Sequence, residues 1–146
     1  MLFLPVSNIL IYAKMAGMGE HEDARAWLTT NLNDPGSTLL ICEITILSFL
    51  RITTNKKVFD PPLSFSEAAS FTSDLLGSEN VRFHRSLPEH FVEVAKFMQK
   101  RELAGNLVMD VHLALIAIGT GATIVTRDGD FKKIPFLKIF NPLASV

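Results

Sequence analysis

The chain reads as an α/β protein with a mostly parallel sheet covered by helices on both faces. Three observations predict this. Short apolar runs alternate with stretches of helical periodicity, as in strand–crossover–strand units. The helical stretches carry their own punctuation, with capping residues before them and glycine or proline around their ends. The apolar runs run directly into polar residues, as strands do where an open α/β sheet opens onto a ligand.

The elements follow in order. Met1 to Val6 is a short apolar run that reads as a core strand. Ser7-Asn8 is a natural helix cap before Ile9 to Ala13, and also a place where an α/β enzyme puts a ligand-binding side chain. Gly17 and Gly19 break the chain, and His21 to Leu32 is an amphipathic helix with Ala24, Trp27, Leu28 and Leu32 at helical spacing. After the turn cluster Asn33 to Ser37, Thr38 to Cys42 is the second strand, and Glu43 opens a helix with an apolar inner face. Ser64 with Glu67 predicts a capping box for a helix that Gly77 ends. Val81 to His84 is a third strand. Ser86 with Glu89 predicts a second capping box, Pro88 lying in the first turn of a helix that runs to about Arg101. Lys96, Lys100 and Arg101 near its C-terminus read as a solvated basic face. Val111 to Ile118 is an almost wholly apolar helix closed by Gly119 and Gly121. Ala122 to Val125 reads as a buried strand, Lys132-Lys133 as an exposed basic pair, and Leu137 to Phe140 as the last strand.

Composition narrows the function classes. The 146 residues make about one domain, spanning 1–146, and 48% hydrophobic residues argue against disorder. A net charge of −1 gives no support for nucleic-acid binding by bulk charge, which leaves only a local basic patch. The single Cys42, set among apolar neighbours, excludes an internal disulfide and reads as a small core residue in a reducing compartment. The first thirteen residues lack a basic leader region and are too short to span a bilayer, so the expectation is a cytoplasmic protein with no membrane partner. The chain carries no phosphate-binding glycine loop, no zinc spacing and no nucleophile elbow.

The stretch from Asn106 to Phe131 carries the chemistry. Asp110 heads the apolar helix, and Asp128 and Asp130 lie in the polar turn Thr126-Arg127-Asp128-Gly129-Asp130 after the strand. Acids gathered this way repel one another unless a cation sits among them, and hard oxygen ligands suit Mg²⁺ or Mn²⁺. Equally, Asp110 can serve as a helix cap and the other two as ordinary turn residues, and the residues by themselves leave both readings open. Glu43 is either a further acid at a strand end or a residue favoured by the helix dipole. Arg51, about two turns further on, can balance charge or hold a phosphate.

Several motifs in chain order carry a resemblance. LPVSNILIYA at 4–13 resembles the opening strand and helix of the PIN-domain family, LPDxNxLIYA. HEDARAWL at 21–28 resembles its second-helix signature, and FLRITTN with VFDPPLSFSEA, at 49–55 and 58–68, its arginine helix and following loop. The stretch 105–131 resembles its late acidic helix and T-x-D-x-D-F turn, and NPL at 141–143 its usual ending. Together, in order and at family spacing, these are similar to a PIN domain, more narrowly to a VapC-type toxin of a bacterial toxin–antitoxin pair.

The resemblance implies a PIN-like three-layer α/β/α sandwich and a metal-dependent ribonuclease whose acids hold Mg²⁺ or Mn²⁺ for attack of water on an RNA phosphodiester. It implies as partners an RNA substrate, a cognate VapB-type antitoxin and a second copy of the chain. Asp110 matches the late-helix acid, Asp128 the acid of the T-x-D turn and Asp130 the less constant acid after it. Thr126 matches the hydroxyl residue beside them, and Asn8 the asparagine two positions after the first acid. Glu43 is the candidate second acid, although many relatives carry a glutamate three residues before the arginine, where this chain has Ser48. The family's first acid, an aspartate, aligns with Val6, and valine cannot ligate a metal. The resemblance therefore implies a ribonuclease weakened or inactivated at Val6, with Val6 either natural or a loss-of-function change. The alternative is a catalytically dead PIN-fold protein that only binds an antitoxin or RNA. A different metal-dependent α/β enzyme, such as a phosphatase, would make the motif order a coincidence.

Overall fold

The computed structural model describes residues 1–143. In chain order the elements are β1 (Leu2–Pro5), α1 (Ser7–Lys14), α2 (His21–Leu32), β2 (Thr38–Cys42), α3 (Glu43–Thr53), α4 (Phe65–Leu76), β3 (Val81–His84), α5 (Pro88–Lys100), α6 (Leu107–Thr120), β4 (Thr123–Val125), a 3₁₀ turn (Gly129–Lys133) and β5 (Lys138–Phe140). The five strands form one sheet in the order β3-β2-β1-β4-β5, and every pairing is parallel. Helices on both faces complete the three-layer α/β/α sandwich that the alternation of elements predicts. Helix α1 packs on α2 and α3, α3 on α4, and α5 on α6.

The sheet order makes the position of the site intelligible. From β1 the chain moves outward through β2 and β3, then returns to lay β4 on the other side of β1. The connections therefore diverge between β1 and β4, and a crevice opens there at the strands' C-terminal ends. Pro5 pairs with Val125, and the amide of Val6 donates to the Val125 carbonyl at 3.0 Å. Behind the crevice lies the apolar core. Leu4, Ile9, Leu10, Leu39, Ile41, Phe49 and Ile124 are fully shielded from solvent. Cys42 belongs to this core, and burial, with the Glu43 charge beside it, pushes its thiol up to about 12. Such a thiol is an inert packing group rather than a nucleophile.

Three local expectations are corrected. Helix α1 begins at Ser7 itself with Val6 at the cap position, and no side chain caps it. Ser86 makes no capping box: Pro88 occupies the first turn, the cap falls on Leu87, and its side chain has no polar atom to offer. Gly119 does not end α6, which continues through Thr120 and closes on Gly121 at φ +76. The box at Ser64 and Glu67 is formed in both directions.

Candidate metal centre

Two elements bring the acids together. Asp110 lies in the first turn of α6, half-buried, where the helix dipole favours a carboxylate. Asp128 and Asp130 lie after β4. The Asp128 carboxylate accepts the amide of Asp130 at 2.8 Å and so caps the 3₁₀ turn. The Asp128 amide in turn donates to the Thr126 hydroxyl at 2.9 Å, and the Thr126 amide donates to the Phe140 carbonyl at 3.0 Å. Arg127, between them, points outward to pair with Glu20 in the connection between α1 and α2. Each step of this short segment is thus tied to a different neighbour.

The result is that one carboxylate oxygen each of Asp110, Asp128 and Asp130 lies within 4.8 Å of the others. Burial, followed by the charges of Asp128 and Asp130, raises the Asp110 carboxyl from 3.8 to about 6. Such mutual repulsion is relieved by a proton or a cation. Asp110 and Asp128 border a cavity of about 550 Å³ at the β1/β4 crevice, which Val6, Asn8, Thr45, Ser48, Arg51 and Thr126 also line. Two further oxygens belong to lining residues: the Asn8 Oδ1 and Thr45 Oγ1 atoms are shut off from solvent and have no hydrogen-bond partner among the described residues. All-oxygen donors of this kind suit Mg²⁺ or Mn²⁺ rather than a soft metal. Asp110, Asp128 and Asp130 are the residues that would hold such an ion.

A scan of family models matches residues 4–137 to the PIN domain. The chain is 31% identical over 143 residues to the ribonuclease VapC33 of Mycobacterium tuberculosis, covering 97% of this chain and 99% of that one. The chain is a PIN-domain protein, homologous to VapC-family ribonucleases. A second relative in this family, the ribonuclease VapC43 of the same organism, is 29% identical over 136 residues and spans 93% of this chain and 92% of its own. Among solved structures, the fold matches M. tuberculosis VapC20, a sarcin-ricin-loop-cleaving toxin, with a TM-score of 0.71 at 12% identity over 94% of this chain and 98% of that one. It also matches the VapBC2 assembly of Rickettsia felis, bound to a DNA fragment from its promoter, with a TM-score of 0.64 at 20% identity over 97% of this chain and 98% of that one.

Against this PIN frame the predicted site residues divide. Asp110, Asp128 and Asp130 come together, and Asn8, Thr126, Arg51 and Val6 border the same cavity. Glu43, expected as the second acid, lies outside this group. It is exposed and lines a neighbouring apolar groove with His84, Phe91 and His112. Helical rotation explains the difference. The cavity takes the face of α3 that carries Ile44, Thr45, Leu47, Ser48 and Arg51, and Glu43 stands at its margin, where it lines the neighbouring groove with Ile44 and Leu47. The VapC-like chain therefore offers hydroxyls and a guanidinium from α3, and no carboxylate. Thr45 was missed by pattern reading; its three-residue spacing to Ser48 and Arg51 is the signal that points to it.

Proposed function

We propose that this protein is an endoribonuclease toxin of a toxin–antitoxin pair that hydrolyses RNA phosphodiesters with Mg²⁺ or Mn²⁺, and that Val6 weakens or silences it. The observation that carries the reading is the gathering of Asp110, Asp128 and Asp130 within 4.8 Å in the β1/β4 crevice. The ribonuclease relatives spanning nearly the whole chain support it. When bound, a divalent cation supplies positive charge to a phosphodiester and acidity to water. The chain's own residues do the rest. The aspartates hold the ion, Thr126 keeps the Asp128 turn in place through the 2.9 Å hydrogen bond, and Asn8 offers an oxygen toward the cavity. Arg51, exposed at the rim, takes a phosphate oxygen of the substrate.

The partners follow from the same reading. An antitoxin of VapB type supplies a basic side chain to the acidic cavity. A second copy of the chain covers Leu47, Phe91, Val108 and Met109, apolar side chains left exposed near the cavity. The cytoplasm is the proposed compartment; no helix among the described residues is long and apolar enough to cross a membrane.

Val6 favours a second reading, in which the protein keeps the fold and only binds an antitoxin or RNA. Val6 is 6% exposed and presents methyl groups to the cavity where the family carries its first aspartate. Cleavage of labelled RNA by the protein and by its Val6→Asp variant, with Mn²⁺ or EDTA, separates the two. Cleavage by the aspartate variant alone, abolished by adding Asp110→Asn, is the expected result. Cleavage by neither, with RNA or antitoxin still bound, favours the binding-only reading.

A further inference from the structure

We infer that Thr45 is a positioning residue of this cavity, built to hold by hydrogen bond an oxygen-bearing side chain at position 6. The inference rests on the nuclease reading above and names a residue that the family motifs do not include. It begins from a contrast among the helical threonines. The hydroxyls of Thr53, Thr54, Thr72 and Thr120 each donate to a carbonyl in the preceding turn of their own helix, at 2.8, 2.6, 3.0 and 2.7 Å. Thr45 is buried almost as fully as Thr53, at 1% against 0% exposure, yet its Oγ1 has no partner among the described residues. The reason is its place in the chain. α3 begins at Glu43, so no helical turn precedes Thr45, and the carbonyls three and four residues back belong to strand β2. Its hydroxyl must find a partner on another element or go without, and a buried polar group without a partner is destabilising.

The other element is the end of β1. The β1–β2 register pairs Leu2 with Thr38 and Phe3 with Leu39, and carried forward it sets position 6 beside Cys42. α1 and α3 therefore start side by side at one edge of the sheet, and they pack on each other. Val6, Asn8 and Thr45 line the same cavity, and the Asn8 Oδ1 atom lacks a partner too. Two buried oxygens without partners thus belong to residues that share this cavity with a valine, whose side chain can satisfy neither. An oxygen at position 6 accepts the Thr45 hydroxyl, which fixes that side chain's rotamer and turns its remaining polar atom toward Asp110, Asp128 and Asp130. Thr45 in this role acts through position 6.

A double-mutant cycle tests this without RNA. Thr45→Val is made in the protein as it stands and in a Val6→Asn background, which supplies an oxygen with no added charge, and thermal unfolding is followed without metal. Thr45→Val is expected to leave Tm unchanged or raise it in the first case. In the second it is expected to lower Tm by about 2–4 °C, with Thr45→Ser close to the Asn-bearing parent. Mn²⁺ affinity, measured by calorimetry, supplies the second arm. Adding Thr45→Val to Val6→Asp is expected to weaken binding ~10–100-fold, and Thr45→Ser to preserve it. Equal Tm shifts in both backgrounds, or Mn²⁺ binding indifferent to Thr45→Val, overturns the inference. Should Val6→Asn not fold, the Mn²⁺ arm decides. Absence of coupling beside intact RNA cleavage by Val6→Asp removes this inference alone, and absence of cleavage beside measured coupling removes only the nuclease reading.

Discussion

At the scale of the residue, Asp110 is the group most at odds with its surroundings. Burial and the neighbouring Asp128 and Asp130 hold its carboxyl at about 6 in the folded protein, against an ordinary value of 3.8. A raised folded value means that the folded state keeps the proton longer. The stability this contributes is complete below 3.8 and is lost as pH rises through about 6. At pH 7 without metal, the ionised group opposes folding. Asp110→Asn is therefore expected to raise Tm at pH 7 in EDTA, with the gain shrinking as pH falls below 6, and to abolish the stabilisation given by Mn²⁺. A Tm series against pH checks both, and an unchanged Tm at pH 7 would contradict the electrostatic account. Such a gain on removing one acid is the trade expected where like charges are gathered to hold an ion.

At the scale of the element, helix ends separate what local pattern specifies from what competes with it. Ser64 accepts the Glu67 amide at 3.1 Å, and the Glu67 side chain reaches back to the Ser64 amide. Ser64→Ala is expected to cost about 1 kcal/mol in urea unfolding. Ser86→Ala, at a box read from an equally good motif but not formed, is expected to stay within about 0.5 kcal/mol of the parent. The rival signal was present in the sequence: Pro88 prefers the first helical position and so assigns the cap to Leu87. Gly121 is the opposite case, where motif and structure agree. Its φ of +76 is the left-handed cap of α6, and Gly121→Ala is expected to destabilise by about 1 kcal/mol. That cap sets where α6 ends and hence where β4 enters the sheet.

At the scale of the molecule, acid acts on two regions with opposite sign. His90 on α5 and His112 on α6 share a hydrogen bond of 2.8 Å, and the Phe91 ring stacks on His112. Burial, then the nearby histidine charges, lowers both imidazoles below 6.5. A lowered folded value contributes stability that is present above 6.5 and lost as pH falls, while Asp110 gains over part of the same range. His112→Phe is expected to flatten the loss of Tm between pH 7 and 5, leaving the Asp110 trend exposed; an unchanged slope would remove the histidine pair from the acid response. How much of this architecture could be read in advance follows the range of the interactions. All five strands, the six helices and the acidic turn were legible, because apolar periodicity, glycine caps and the Asp-rich turn are local signals. The kind of chemistry was legible only through the family resemblance, because the same three aspartates read equally as a helix cap and ordinary turn residues. The direction of Glu43 was not legible, because only the packing of α3 against α1 decides which helical face looks into the crevice. Nor was the sheet order that sets β1 against β4, which depends on contacts between residues more than a hundred positions apart. The sequence by itself determined the elements and set Asp110 at the head of one helix and Asp128 and Asp130 in one turn. Tertiary structure alone decided that Asp110 meets Asp128 and Asp130, and that Thr45 faces Val6's cavity without a partner. Periodicity constrains neighbours along the chain, whereas convergence is set by how the sheet and its helices pack.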